Sequence, residues 1–324
     1  MNALLFPGQG SQKVGMGLEI CDKFEKAGEI LERASAVTGI DLREIMFCGP
    51  ENKLTDTRFA QVAIYTTSAM YLEKLKANGT DYSYVAGHSL GEYSALFAAG
   101  VFDFETGLRL VNKRAELMSA MNGKGIMAAV LGLSEDELGS LMEDASGKAE
   151  KEGASSRIPD PPKNHQEKDS FEFGRDVVMA NFNTKTQIVI SGTEEAVNRI
   201  GQRLLAKYDN DSVKFKKLNV SAAFHSPQMR EAAEKMKTFI EKTPFNEPEC
   251  FVVPNVSGIP TKSADEIKRC LIAQITGQVR WYDTVLALKN AGVSMFYEVG
   301  FGDTLKKLNK TIVFRPKCSG VQLD

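Results

Sequence analysis

The sequence predicts a mixed α/β fold, a larger parallel-sheet part with a smaller α+β unit set into it, and three observations lead there. Up to Gly123, short apolar runs alternate with amphipathic stretches of helical period. A G-x-S-x-G pentapeptide, Gly87-His88-Ser89-Leu90-Gly91, stands between a strand-like run and a helix-like one. After Gly123 the order becomes strand, helix, strand, strand, helix, strand. Strand–helix alternation builds a parallel sheet covered on both faces. A serine on a sharp strand-to-helix turn marks an α/β-hydrolase-like core with that sheet. The later order is that of a ferredoxin-like α+β subdomain.

Residues 3–6 form a first short apolar strand, and residues 59–76 a helix with Gly79 as its stop. Tyr82-Ser83-Tyr84-Val85-Ala86 leads into the pentapeptide, and helices follow over 92–99 and 104–121. A strand covers 126–133. Ser134, with Glu137 three residues on, is a capping box that opens the next helix. Strands over 176–182 and 187–191, a helix over 194–207 and a strand over 213–220 complete the inserted unit. It spans residues 124–220 and divides the larger subdomain into 1–123 and 221–324. Residues 150–170 are rich in Lys, Glu, Ser and Pro and predict a long exposed loop at about 150–175. Ser226-Pro227 reads as N-cap and first helical residue. Residues 250–253 and 295–299 read as further parallel strands.

Of 324 residues, 40 are basic and 42 acidic, giving a formal net charge of −2. That balance excludes a general nucleic-acid or membrane-surface binder, and no apolar run is long enough to span a bilayer. The N-terminus lacks a basic segment of the secretory kind. Five cysteines without C-x-x-C spacing point to idle thiols in a reducing cytoplasm. With three histidines, no metal-ligand cluster is expected.

A serine hydroxyl needs a positioned base before it attacks a carbonyl carbon. His88 adjoins Ser89, and neighbouring side chains on an extended segment point apart. His165 falls in the long loop. His225, in Ala222-Ala223-Phe224-His225-Ser226-Pro227, remains, just before a helix whose positive end should keep the imidazole neutral. One oxyanion donor is the N–H of Leu90. The other comes from the Gly-rich loop Pro7-Gly8-Gln9-Gly10-Ser11-Gln12. That loop is no dinucleotide fingerprint, because Lys13 stands where the third glycine belongs.

Taken in order, Phe6-Pro7-Gly8-Gln9-Gly10-Ser11-Gln12, Gly87-His88-Ser89-Leu90-Gly91-Glu92, Ala223-Phe224-His225-Ser226 and Tyr297-Glu298-Val299-Gly300 resemble the malonyl-CoA:acyl carrier protein transacylases and their polyketide-synthase relatives. The resemblance covers the chain apart from the long loop. It implies ping-pong transfer of malonyl from malonyl-CoA, through a Ser89 ester, to the phosphopantetheine thiol of holo-acyl carrier protein. His225 would be the base, Gln9 and Leu90 the oxyanion donors, and Gln274 the group whose backbone or amide carbonyl orients His225. Arg114 would hold the malonyl carboxylate, although the sequence alone would leave it an ordinary helix-surface residue. Phe224 and Leu90 match malonyl-selective members, and His88, Asn181, Asn183 and Asn255 match residues facing the substrate cleft. No cofactor is implied, and a monomer is expected. A polyketide-synthase acyltransferase and an acyl hydrolase are the alternatives. Departures are Gly300-Phe301-Gly302, Thr184-Lys185 and the long loop. Acidic carrier proteins call for a basic dock; Lys214, Lys216 and Lys217 form one candidate cluster, and Lys306, Lys307 and Lys310 another.

Overall fold

The computed structural model describes residues 1–145, 176–209, 211–313 and 317–323. The expected loop at 150–175 and His165 lie outside the described residues. Among the described residues, nine strands run in chain order: β1 (Asn2–Phe6), β2 (Tyr84–Gly87), β3 (Ile126–Leu131), β4 (Val177–Thr184), β5 (Gln187–Gly192), β6 (Lys214–Lys217), β7 (Phe251–Val253), β8 (Met295–Glu298) and β9 (Lys317–Gly320). They make two sheets, one ordered β7-β2-β1-β8-β9 and one ordered β4-β5-β3-β6.

All four pairings of the first sheet are parallel. Its central strands are apolar on both faces because both faces are covered. Side-chain alternation along β1 sends Leu4 and Phe6 into one core layer and Ala3 and Leu5 into the other. The second sheet is antiparallel throughout, in the order a ferredoxin-like unit requires. Ala128, Val130, Ile188 and Ile190 on one face pack with Leu138, Leu141, Val197 and Ile200 of the helices Glu135–Ala145 and Glu194–Lys207. On the other face, Met127, Ala129 and Val189 join the main core. A backbone bridge ties the units, with Phe182 N–H donating to Val279 O and Val279 N–H to Ala180 O at 2.9 and 2.8 Å.

The capping box forms as expected: Ser134 Oγ accepts from the Glu137 N–H, while the Glu137 carboxylate accepts from Ser134 N–H at 2.8 Å. Ser226 does not cap. Its hydroxyl donates to Ala223 O at 2.6 Å, and the chain enters a short 3-10 turn, Pro227–Met229, before the helix Arg230–Lys242. The strand expected over 213–220 is shorter, and Lys214, Lys216 and Lys217 lie exposed on it at the sheet edge. Lysines there discourage edge-to-edge pairing. Among the described residues, no helix is long and apolar enough to cross a membrane.

The Tyr297-Glu298-Val299-Gly300 segment has a structural task. Glu298 is 3% exposed, and its two oxygens accept from Leu305 N–H (2.9 Å) and Lys306 N–H (2.8 Å), capping the helix Thr304–Ile312. Burial pushes its carboxyl above the usual range, and the two N–H bonds oppose that. Charged hydrogen bonds to helix-end donors are among the stronger kind. Glu298→Ala should therefore lower the unfolding free energy by about 1–3 kcal/mol, measured by urea denaturation; an unchanged midpoint would remove the capping role.

Candidate active site

Parallel pairing of β1 with β2 sets the C-terminal ends of the two strands side by side, so the loops leaving them must share one small space. His88 N–H donates to Phe6 O at 2.9 Å. A Cβ on Gly91 would lie 2.0 Å from Phe6 O, and one on Gly8 would lie 2.3 Å from His88 O. Only glycine permits that approach. Ser89 itself takes φ 51°, a left-handed conformation rare for a side-chain-bearing residue. The turn is held by Asn255, whose Oδ1 accepts from Ser89 N–H (2.7 Å) while its Nδ2 donates to Gly87 O (2.6 Å).

His225 comes from the far side of the inserted unit, also left-handed with φ 57°. Its Nε2 lies 2.7 Å from Ser89 Oγ. Nδ1 faces two main-chain carbonyls, Gln274 O at 2.9 Å and Gly277 O at 3.2 Å. Carbonyls only accept, so the proton sits on Nδ1 and the Nε2 lone pair faces the serine. Burial, then the Arg114 charge, lowers the His225 pKa to about 3, opposed by the Gln274 and Gly277 bonds. Burial, rather than the helix end expected from sequence, is therefore the main reason the ring is neutral.

Arg114, on the helix Phe104–Ser119, is 1% exposed rather than on the surface. Its Nη1 donates to Gln61 Oε1 (2.7 Å), and its Nη2 reaches both Ser89 Oγ and Gln274 Oε1 at 3.2 Å. Gln274 is wholly buried. Its backbone carbonyl orients His225, and its side-chain Nε2 donates to Ser89 O and to Glu92 Oε2, each at 2.8 Å. His88 points the other way, as its neighbour relationship to Ser89 requires: its Nε2 meets Asn183 Oδ1 at 2.8 Å and its ring lies against Trp281.

Among the described residues, no acceptor is paired with the backbone N–H of Gln9 or Leu90. Leu90 and Phe224 are buried, the latter 6% exposed. The asparagines divide. Asn183 is occupied by His88, Asn181 Oδ1 is buried without a partner, and Asn255 spends both amide atoms on the elbow. Asn255 thus shapes the turn through both amide atoms. Sequence reasoning missed Glu92 and Gln61. Glu92 carries a signal in retrospect, as the lone charge in the apolar helix Gly91–Ala98. Gln61 has none, being one polar residue of many on a long buried helix. No group of three or more His, Cys, Asp or Glu among the described residues is arranged to hold a metal ion.

An elbow serine, a neutral histidine on it and a buried guanidinium beside it define an acyltransferase of the serine-nucleophile kind. Residues 3–145 match the acyl transferase domain model. The polyketide biosynthesis malonyl CoA-acyl carrier protein transacylase PksC of Bacillus subtilis is 38% identical over 95% of this chain and 96% of its own length. The malonyl CoA-acyl carrier protein transacylase of Escherichia coli K12 is 36% identical over 96% and 92%. ThaF of Burkholderia thailandensis, a polyketide biosynthesis protein, is 39% identical over 97% of this chain, which spans only 24% of ThaF. Among solved structures, the Coxiella burnetii transacylase superposes with a TM-score of 0.86 at 31% identity, covering 99% of this chain and 93% of that one. PlMCAT, solved with the type II polyketide acyl-carrier protein AntF, gives 0.86 at 33% identity over 99% and 95%. This chain belongs to the malonyl CoA-acyl carrier protein transacylase family.

A His225 conjugate acid lowered from 6.5 to about 3 leaves the base neutral at every pH above about 3. The rate of Ser89 acylation by acetyl-CoA should cross pH 6.5 without a fall; a drop centred there, read by intact mass, would show an ordinary histidine instead.

Proposed function

We propose that this chain moves a malonyl group from malonyl-CoA to the phosphopantetheine thiol of an acyl carrier protein through a Ser89 ester. Ser89 Oγ gives its proton to His225 Nε2 and attacks the thioester carbon. The oxyanion takes the free N–H groups of Gln9 and Leu90, and the C–S bond breaks as coenzyme A leaves with the proton. The carrier thiol then repeats the sequence in reverse. The reaction balances without a cofactor. Five free thiols support the reducing cytoplasm as its place of work.

One observation carries the reading: Ser89 Oγ lies within 2.7 Å of the base and 3.2 Å of a buried guanidinium. A cation beside the nucleophile suits an acyl group that ends in its own carboxylate, which a planar guanidinium grips with two parallel bonds. A hydrolase clearing simple acyl chains has no use for it. Phe224 and Leu90, which match the pattern of malonyl-selective members, support malonyl over the bulkier methylmalonyl. Relatives named for polyketide biosynthesis, PksC and ThaF among them, favour keeping a polyketide carrier beside the fatty-acid one.

With Ser89→Ala, the malonyl adduct seen by intact mass should disappear; a retained adduct would refute the nucleophile. Arg114→Ala should slow malonyl loading roughly a hundredfold and acetyl loading far less, and equal losses would remove the carboxylate role. Chasing the adduct with fatty-acid carrier, polyketide carrier or water identifies the acceptor.

A further inference from the structure

Glu92 is the charged side chain next to the site to which the transfer chemistry gives no task. It is 1% exposed. Oε2 accepts from Gln274 Nε2 at 2.8 Å and from Asn255 N–H at 3.2 Å, whereas Oε1 has no partner. The same Gln274 amide turns its oxygen to Arg114 Nη2 at 3.2 Å. An amide dipole thus lies between a buried anion and a buried cation, N–H toward the carboxylate and C=O toward the guanidinium. The acceptors of Arg114, namely Gln61, Ser89 and Gln274, are all neutral. Glu92 is accordingly the counter-charge that the Arg114 field meets through that amide.

We propose that Glu92 sets the acyl-group preference, balancing Arg114 in the free enzyme and taking a proton from solvent when the acyl carboxylate arrives to claim the guanidinium. This rests on Arg114 as the partner of the malonyl carboxylate. Arg114 and ionised Glu92 together are neutral. A second carboxylate would leave a buried net negative charge, which low-dielectric surroundings penalise. Protonating Glu92 restores neutrality. Burial already holds its carboxyl at about 7, against the lowering effects of Gln274, Asn255 and Arg114, so the proton is within reach near neutral pH. The other titratable groups facing Glu92 are Tyr93 on its own helix and Cys270 on the helix Ala264–Ala273, both pushed up by burial, the thiol to about 12. His88 and His225, on the far side of Ser89 and Gln274, are pushed down by burial. None of these changes charge where Glu92 does.

The test is the ratio of malonyl to acetyl loading rates on Ser89, followed by intact mass from about pH 6 to about pH 8.5. Both acyl groups use Ser89 and His225, so general damage to the site cancels in the ratio. In the unaltered protein the ratio should rise about fivefold as pH falls across that range, the lower end of coupling between two sites. Glu92→Gln keeps the acceptor oxygen and removes the charge; its ratio should stay at the high value at every pH. Glu92→Asp should retain the pH dependence. A flat ratio in the unaltered protein, or an unaltered slope in Glu92→Gln, overturns the proposal. Should Glu92→Gln fail to fold, the profile of the unaltered protein decides alone. Failure of the Arg114 reading looks different, because Arg114→Ala would then slow both acyl groups equally.

Discussion

Two loops leave adjacent parallel strands and must pass within backbone contact of one another, and that crowding determines what the rest of the site can be. Phe6 O bonds to His88 N–H, and Gly8 and Gly91 leave no Cβ in the gap. The turn is forced tight enough to drive Ser89 left-handed. Strain of this kind persists only where surroundings over-determine it. Asn255 supplies that by bonding the backbone on both sides of His88, and Gln274 Nε2 adds a bond to Ser89 O. The hydroxyl is consequently offered at a fixed place, with the N–H of Leu90 left over on the same turn. The serine hydroxyl and the unpaired N–H of Leu90 are products of one backbone conformation.

Charge is arranged around that turn rather than on it. Arg114 and Glu92 are both buried, an expensive choice that survives only with hydrogen bonds to share the load. Gln274 provides them in three directions, to Arg114, to Glu92 and, by its main chain, to His225. One residue therefore couples the orientation of His225 to the electrostatics around Ser89. The guanidinium also lowers the basicity of His225, so the buried cation beside Ser89 works against the imidazole on the same hydroxyl.

Much of this was legible in the chain because local chemistry dictated it. The serine turn, the capping box at Ser134 and the helix Glu194–Lys207 follow from short-range patterns. The ferredoxin-like order could be read because β3, β4 and β5 are largely apolar runs and the unit's two helices are amphipathic. Less visible were features whose cause lies far off in sequence. Arg114 looks like a surface residue until the helix Thr57–Ala77 brings Gln61 against it. The left-handed turn at His225 and its carbonyl partners involve residues about fifty positions apart, and no local signal announces them. Ser226 misled for the opposite reason, because its hydroxyl found a nearer carbonyl at Ala223 and the helix began late.

The imidazole leans on two peptide oxygens, those of Gln274 and Gly277, where a proteolytic triad would offer an acid. A neutral oxygen aims the ring as well as a carboxylate does, yet comforts a transient imidazolium less. Breaking a peptide link demands such a cation, since an amine departs only after receiving a proton. A sulfur departs nearly unaided, with a thiol pKa of about 8.5. The arrangement therefore suits exchange between thiols of matched acidity, equally passable in either direction.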